Sequence, residues 1–498
     1  MASMNGASTN GIGRHATRGL ASTAIAQIVK IFGTMATTIV VARILSPSDY
    51  GVAAMVAPLT GLVLTFQNLG FTQAVVQARE LDFEHSNALF WLNVLVSIVA
   101  ALAMVAAAPL AGAFYGDARA GYVTAATGLT ILVTGLKLQH QALLNREMRF
   151  HALSINDIVV SIMTLVLTTI AALILRNYWA IWLGIFLNAV VSTAMMWRAC
   201  RWRPRLGATF AGVRKLVVFG ANLTGFNLVN FFARNLDNVI IAKVEGADAV
   251  GLYDRSYKLM LFPLQNINQP LARIMLPVLS RVRDEPARYR RVYELALRAL
   301  ALGSMPGILA AAICSDRLIP FLLGERWAAA SPIFLWLSLT AIVQCVPNTA
   351  AWLYISTGNT RRMMYWGIFS STVSIVSFII GVRWGAEGVA RAYFIGQLAT
   401  APMLYWYATL GTPVPQRFMY FVQLPSLLGG VFAWGVVSLI GKGLPTVMVI
   451  AIALAASYFG AAAAQACTPG GRQAMAEMLR QAANLLPERF RQRPLRSG

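Results

Sequence analysis

The chain has 498 residues, 57% of them hydrophobic and only 12% charged, with a mean hydropathy of +0.62. Soluble globular chains carry roughly 25% charged residues, so a soluble protein is excluded; the apolar residues instead run in blocks close to the ~20 needed to cross a bilayer. The formal net charge of +22 invites a nucleic-acid reading, but on a polytopic membrane protein basic residues collect in cytoplasmic loops.

In chain order, residues 1–19 read as a polar tail. They lack the basic, then apolar, then small-residue order of a cleaved signal peptide. Apolar segments follow at 20–42, 51–77, 88–113, 121–144, 154–175 and 179–199. A basic stretch, WRACRWRPRLGATFAGVRK, occupies 197–215. It reads as an orientation signal and linker, with binding of anionic lipid headgroups as a secondary role for its arginines. Further apolar segments lie at 216–242, 250–278, 292–313, 329–356, 363–382, 386–409, 418–440 and 444–466. In the tail, Met475, Met478, Leu479 and Ala482 share one helical face with arginines elsewhere, the pattern of a basic amphipathic helix on the membrane surface.

These segments predict an all-α polytopic membrane protein of about fourteen transmembrane helices. Residues 20–199 form an N-lobe of six helices, 200–215 a basic inter-lobe loop, and 216–410 a C-lobe of six. Residues 418–466 add an extra helix pair, and 467–498 a basic cytoplasmic tail. No loop is long enough to hold a soluble catalytic domain. With the N-terminus in the cytoplasm, the 41 Lys and Arg divide into 25 on the cytoplasmic side, 8 on the opposite side and 8 within helices. That asymmetry is the positive-inside pattern, and it places both termini in the cytoplasm. It accounts for most of the basic charge without nucleic acid.

The two lobes carry a repeat. In AIAQIVKIFGTMATTIVVAR the residues Gln27, Lys30, Thr34 and Thr37 fall three or four apart, on one helical face. In LTGFNLVNFFARNLDNVIIAK the same register is held by Asn227, Asn230, Arg234 and Asp237. VVAR (40–43) then matches IIAK (240–243), and Gly51 matches Gly251. Six helices per copy is an even number, so both copies enter the membrane in the same direction. The expected pseudo-twofold axis runs along the membrane normal, with a site at the midplane between lobes.

Charges inside a membrane are costly, ~2.5–3.5 kcal/mol for Arg, Lys or Asp on insertion scales, and default to a functional reading. Lys30, Lys137, Arg234, Arg255, Lys258 and Arg273 are such basic residues, with Gln265 and Gln269 on roughly the face of the last three. The embedded acids are few: Asp237, which can pair with Arg234 at i−3, and Asp157. Arg298 and Arg391 lie near helix ends, where snorkelling gives them structural roles. Asn and Gln on the same faces also serve as helix–helix glue. The expected cavity is net cationic and suits an anionic substrate, since Arg forks and Lys point charges match phosphates. Cys200, Cys314, Cys345 and Cys467 form no CxxC pair, and His15, His85, His140 and His151 no metal-spaced cluster. No metal, cofactor or catalytic residue is expected.

VVARILSPSDYGVAAMVAPLTGLVLTFQNLGFTQAVVQ (40–77) resembles the first two helices of the Wzx-type polysaccharide flippases, within the MATE-like multidrug/oligosaccharidyl-lipid/polysaccharide (MOP) exporter superfamily. The stretch ARNLDNVIIAKVEGADAVGLYDRSYKLMLFPLQ (233–265), with LLGERWAAASPI (322–333) and TGNTRR (357–362), also fits. The resemblance implies a two-lobe bundle of twelve or fourteen helices. It implies alternating-access translocation of undecaprenyl-diphosphate-linked oligosaccharides from the inner to the outer leaflet of the bacterial inner membrane, for exopolysaccharide or O-antigen (lipopolysaccharide) biosynthesis. A polysaccharide polymerase and co-polymerase are its implied partners. Within it, Lys30, Arg234, Arg255, Lys258 and Arg273 are candidates for the diphosphate or acidic sugars. Asn68, Asn227, Asn230 and Gln269 are candidates for sugar hydroxyls.

Two other readings are weighed. A cation-coupled multidrug exporter of the same fold would favour acidic cavity residues, yet the first helix carries Lys30 and no acid. A membrane polysaccharide polymerase or ligase would need an extended non-cytoplasmic loop or a carboxylate pair, and neither is present.

Overall fold

Local chemistry sets the first helix boundary. α1 (Thr9–Ile44) stops where Ser46 and Pro47 begin α2 (Pro47–Asn68). Proline at the first helical position gives up no intrahelical bond. Ser46 and Asp49 close a capping box around it: the Ser46 N–H and hydroxyl donate to Asp49 Oδ2 at 3.0 and 2.6 Å, and the Asp49 N–H returns to Ser46 Oγ at 3.3 Å. The computed structural model describes residues 9–68, 82–207, 214–468 and 470–485.

Helices follow at α3 (Phe83–Tyr115), α4 (Ala118–Arg146), α5 (Phe150–Leu175) and α6 (Trp179–Ala199). The 68-residue α7 (Arg214–Arg281) is broken at Gly246, whose φ of 84° and ψ of −170° interrupt the helical path. Beyond it lie α8 (Pro286–Ile313), the short α9 (Ser315–Leu323), α10 (Ser331–Cys345), α11 (Ala350–Ser356), α12 (Thr360–Gly381) and α13 (Gly385–Thr409). The chain ends in α14 (Gln416–Phe421), α15 (Leu424–Ile440), α16 (Thr446–Ala466) and α17 (Gly471–Leu485). No strand occurs among the described residues.

Eleven stretches of the described residues are long and apolar enough to cross a membrane, and one of them, Thr360–Thr409, holds both α12 and α13. Their outward faces confirm the solvent they need. Leu110 is 72%, Ile174 74% and Leu439 83% exposed, a density of bare aliphatic side chains that lipid accepts and water does not. The chain is an all-α, multi-pass membrane protein.

Most expected segments are single helices, with three differences. The expected helix 329–356 is divided, because Pro347 has no N–H to continue the ladder and opens a 3₁₀ turn between α10 and α11. The expected helix 418–440 is split into α14 and α15 just before Pro425. The stretch 314–328 holds α9 and a 3₁₀ segment, Glu325–Ala330, where a loop is expected. The far end of the expected helix 51–77 lies outside the described residues.

The chain forms two compact units, Met1–Asp254 and Arg255–Gly498. In the first, α3 and α4 pack along a seam of small residues. Gly121 and Gly128 of α4 meet the Ala108 and Ala101 carbonyls of α3, and Gly135 meets the Ser97 side chain. Small residues let membrane helices approach to backbone contact. α1 packs on α5, α5 and α4 on α6, and α2 on α4. In the second unit α10 packs on α8 and α13, and α12 on α13. Two buried hydrogen bonds tie α8 to the segment after α10: Tyr289 to Ser356 at 2.7 Å and Tyr293 to Thr349 at 2.8 Å. The α15–α16 pair packs on itself and against α8.

Candidate functional site

On α1 the stripe is an open face. Gln27, Lys30 and Thr34 are exposed, while Thr37 is half-buried and donates to the Gly33 carbonyl at 2.8 Å. Lys30 has no hydrogen bond or ion pair among the described residues. It lies within electrostatic reach of Lys137 on α4, as does Asp157 on α5. Lys137 is half-buried and donates from Nζ to Ser192 Oγ of α6 at 3.0 Å. One turn before Ser192, Asn188 donates to Thr164 Oγ1 of α5 at 2.5 Å. Four helices thus set two ammonium groups, one carboxylate and several hydroxyls beside each other. Two cations against one acid leave a local positive excess in a region of low dielectric, where an incoming anion is held more strongly than in water.

Lys137 and Asp157 belong with Lys30 here, although helix periodicity alone connects neither to it. Ser192 is new. Its signal in the sequence is its i+4 spacing from Asn188 on a mostly apolar helix.

In the second copy of the stripe, Asp237 is the member whose side chain is among the described residues. Asp237 is 4% exposed. One of its carboxylate oxygens accepts from the Tyr253 hydroxyl at 3.1 Å and the other from the Asn238 N–H at 2.8 Å. Asp237 and Tyr253 stand on either side of the break at Gly246, so the chain doubles back there and Asp237 is packed inside the turn, not on an open face. The side chains of Asn68, Asn227, Asn230, Arg234 and Gln269 lie outside the described residues.

In the second unit Arg255 is half-buried, and Lys258, Gln265 and Arg273 are exposed. Arg255 and Lys258 are one helical turn apart. Lys258 and Arg273 are separated by roughly 22 Å of helix at 1.5 Å per residue, which is too far for a single diphosphate. The cationic candidates on this arm are therefore two separate positions.

A family model described as polysaccharide biosynthesis protein matches residues 40–332. The chain belongs to that polysaccharide biosynthesis family. Its relatives include the lipopolysaccharide biosynthesis protein WzxC of Escherichia coli, 23% identical over 429 residues and covering 83% of this chain and 86% of that one. The succinoglycan biosynthesis transport protein ExoT of Rhizobium meliloti is 22% identical over 358 residues, covering 71% of this chain and 72% of that one. Among solved structures, the lipid II flippase MurJ in an inward closed conformation matches with a TM-score of 0.68 at 13% identity, over 90% of this chain and 98% of that one. An inward-facing multidrug MATE transporter of the MOP superfamily matches with a TM-score of 0.57 at 11% identity, over 82% and 99%. The family member thus shares its fold with both of these transport proteins.

Not every opening in this family member is cationic. A groove of about 390 Å³ in the first unit is lined by Pro58, Leu59, Leu62, Leu110, Phe114 and Val239 among others. It offers no charge to an anion and cannot substitute for the Lys30–Lys137 patch.

Proposed function

We propose that the protein is a flippase that carries undecaprenyl-diphosphate-linked oligosaccharide repeat units from the inner to the outer leaflet of the bacterial inner membrane. It serves exopolysaccharide or O-antigen biosynthesis and works by alternating access. The observation that carries this reading is the exposed Lys30 beside Lys137, in a membrane chain of the polysaccharide biosynthesis family. A diphosphate crossing hydrocarbon without compensation is prohibitively costly, and an open ammonium pair on membrane helices is the compensation it needs. The names of WzxC and ExoT place relatives in surface polysaccharide biosynthesis and transport, and MurJ is named a lipid II flippase.

The remaining elements follow from the repeat. The lobes are 20–199 and 216–410, joined by the basic loop 200–215, with 418–466 appended and 467–498 as a tail. Both termini lie in the cytoplasm, because 25 of the 41 basic residues fall on that side. Lys30, Arg234, Arg255, Lys258 and Arg273 serve the diphosphate or acidic sugars, Lys137 joins them, and Gln27, Asn68, Asn227, Asn230 and Gln269 serve hydroxyl groups. The protein is a translocase that hands its cargo to a polymerase and co-polymerase.

The test deletes the gene in a polysaccharide-producing host and locates its lipid-linked repeat units. Complete units trapped in the inner leaflet are expected. Accumulation of unfinished units would mark a glycosyltransferase and overturn the reading.

A further inference from the structure

The basic stretch that runs from the last turn of α6 to residue 205 is a built surface. Orientation in the membrane requires only that positive charges be present, in any conformation. Here residues 197–205 are pinned at four points. Trp197 Nε1 donates to the Leu136 carbonyl at 2.9 Å, and Arg149 donates to the Ala199 carbonyl at 2.9 Å. The Arg205 N–H donates to Asn87 Oδ1 at 2.8 Å, and its carbonyl accepts from Trp91 Nε1 at 2.7 Å. Between these points Trp202 packs against Phe90 and His140, with ring centroids at 5.8 and 5.4 Å. His140 is fully buried and stacks on Trp197 at 4.5 Å. Ordering a segment costs ~1–2 kcal/mol per residue in backbone entropy, so this strap is held for what it presents.

What it presents is positive charge around an apolar tip. Arg198, Arg201, Arg203 and Arg205 are all exposed, and Arg149 stands beside them. Arg198 and Arg201 have no hydrogen bond or ion pair among the described residues. Arg203 is held over the Trp197 ring at 5.7 Å and Arg205 over Phe83 at 4.8 Å. The nearby acids are Asp82, Glu84 and Glu147, and Glu147 is itself only 3.8 Å from Arg149. At the end of the strap Leu206 is 87% exposed. A bare leucine following a run of exposed arginines, at the ends of lipid-facing helices, has a headgroup layer as its natural environment.

We infer that this strap is a binding site for an anionic phospholipid of the adjacent leaflet. Arginine forks take the phosphodiester, the aromatic wall supports the glycerol region, and Leu206 enters the acyl chains. Free phosphate would satisfy the arginines but leave Leu206 without a partner, which is why the lipid is the occupant.

The experiment is native mass spectrometry of the full-length protein in detergent, titrated with phosphatidylglycerol, phosphatidylcholine or inorganic phosphate. Phosphatidylglycerol is expected to be retained in preference to phosphatidylcholine. Arg198→Gln and Arg201→Gln should each weaken its retention about fivefold, and Arg198→Lys with Arg201→Lys should restore it. Leu206→Ser should weaken it further, whereas Arg288→Gln with Arg290→Gln, exposed arginines at the start of α8, should leave it unchanged. Equal retention of both lipids, an equal effect of the Arg288 and Arg290 changes, or full displacement by millimolar phosphate would each overturn the assignment.

Discussion

Gly51 and Gly251, equivalent in the repeat and 200 residues apart, pack into each other's helix starts. A Cβ on Gly51 would overlap the Ala247 carbonyl, and one on Gly251 would overlap the Pro47 carbonyl and approach the Gly51 N–H at 3.0 Å. Each copy of the motif therefore reserves backbone space for the other. The turns they follow are made differently: a Ser46–Asp49 capping box in the first copy, and the left-handed Gly246 in the second. The repeat conserves the place of the turn and the contact across it, not the chemistry of the cap.

Gly51→Ala and Gly251→Ala should each destabilise the protein, because the obstacle is backbone that cannot rotate away. The cost should reach or exceed the ~1–3 kcal/mol typical of overpacking. Thermal unfolding in detergent should show a lowered Tm for both, and Gly303→Ala, where a Cβ meets nothing within 4 Å, should be mild by comparison. Unchanged melting of the first two would show that the contact relaxes freely.

Asp237 and Tyr253 lock the same turn from inside. Tyr253→Phe keeps the ring and removes the hydroxyl that donates to Asp237 at 3.1 Å. Losing a hydrogen bond to a buried carboxyl should cost about 1.5–3 kcal/mol. Asp237→Ala and the double variant complete a cycle, and the double change should cost clearly less than the sum of the single ones. Strict additivity would mean that the bond contributes nothing.

Asp117 offers a pH-dependent version of such a contact. It precedes α4 and holds Arg119 at 2.7 Å, and Arg119 also reaches Ser48 Oγ at 3.2 Å, joining the α3–α4 turn to the start of α2. The hydrogen bond from Arg119 lowers the Asp117 carboxyl below its ordinary 3.8. A lowered folded value means a contribution fully present above 3.8 and lost as pH falls through the folded value. Asp117→Asn should therefore be slightly less stable than the parent at pH 7 and equal to it under strongly acidic conditions. The effect is small, since Arg119 is 39% exposed. A gap that persisted unchanged at low pH would assign the difference to something other than the ion pair.

How far these features could be read beforehand follows from their range in sequence. The stripe on α1 was legible because helical period places Gln27, Lys30 and Thr34 on one face whatever surrounds them. The Gly51–Gly251 equivalence was legible as a repeat in register, whereas the Ser46–Asp49 box came only from the structure. Lys137 and Ser192 come together only through the packing of α4 on α6, and Asp237 meets Tyr253 only because the chain doubles back at Gly246. The strap was legible as charge but not as structure, since its order depends on Asn87, Trp91 and His140 from two other helices.

The stripe itself is the sharpest remaining test. Lys30 is exposed and without a partner among the described residues, so its removal should leave folding intact. If its ammonium binds the diphosphate, the lost charge-assisted contact is worth about 1.5–3 kcal/mol, or roughly tenfold to hundredfold in export rate. Lys30→Ala should therefore lower export about tenfold to hundredfold while the protein stays in the membrane, and Arg234→Ala should do the same from the second copy. Lys137→Met should reduce export less, because Lys137 is half-buried and partly engaged by Ser192. Ser192→Ala separates the two roles: it should spare melting temperature and change export only if the Lys137 ammonium must be aimed. Export at the parental rate from Lys30→Ala and Arg234→Ala alike would reduce the stripe to helix packing and remove the cationic patch from the transport path.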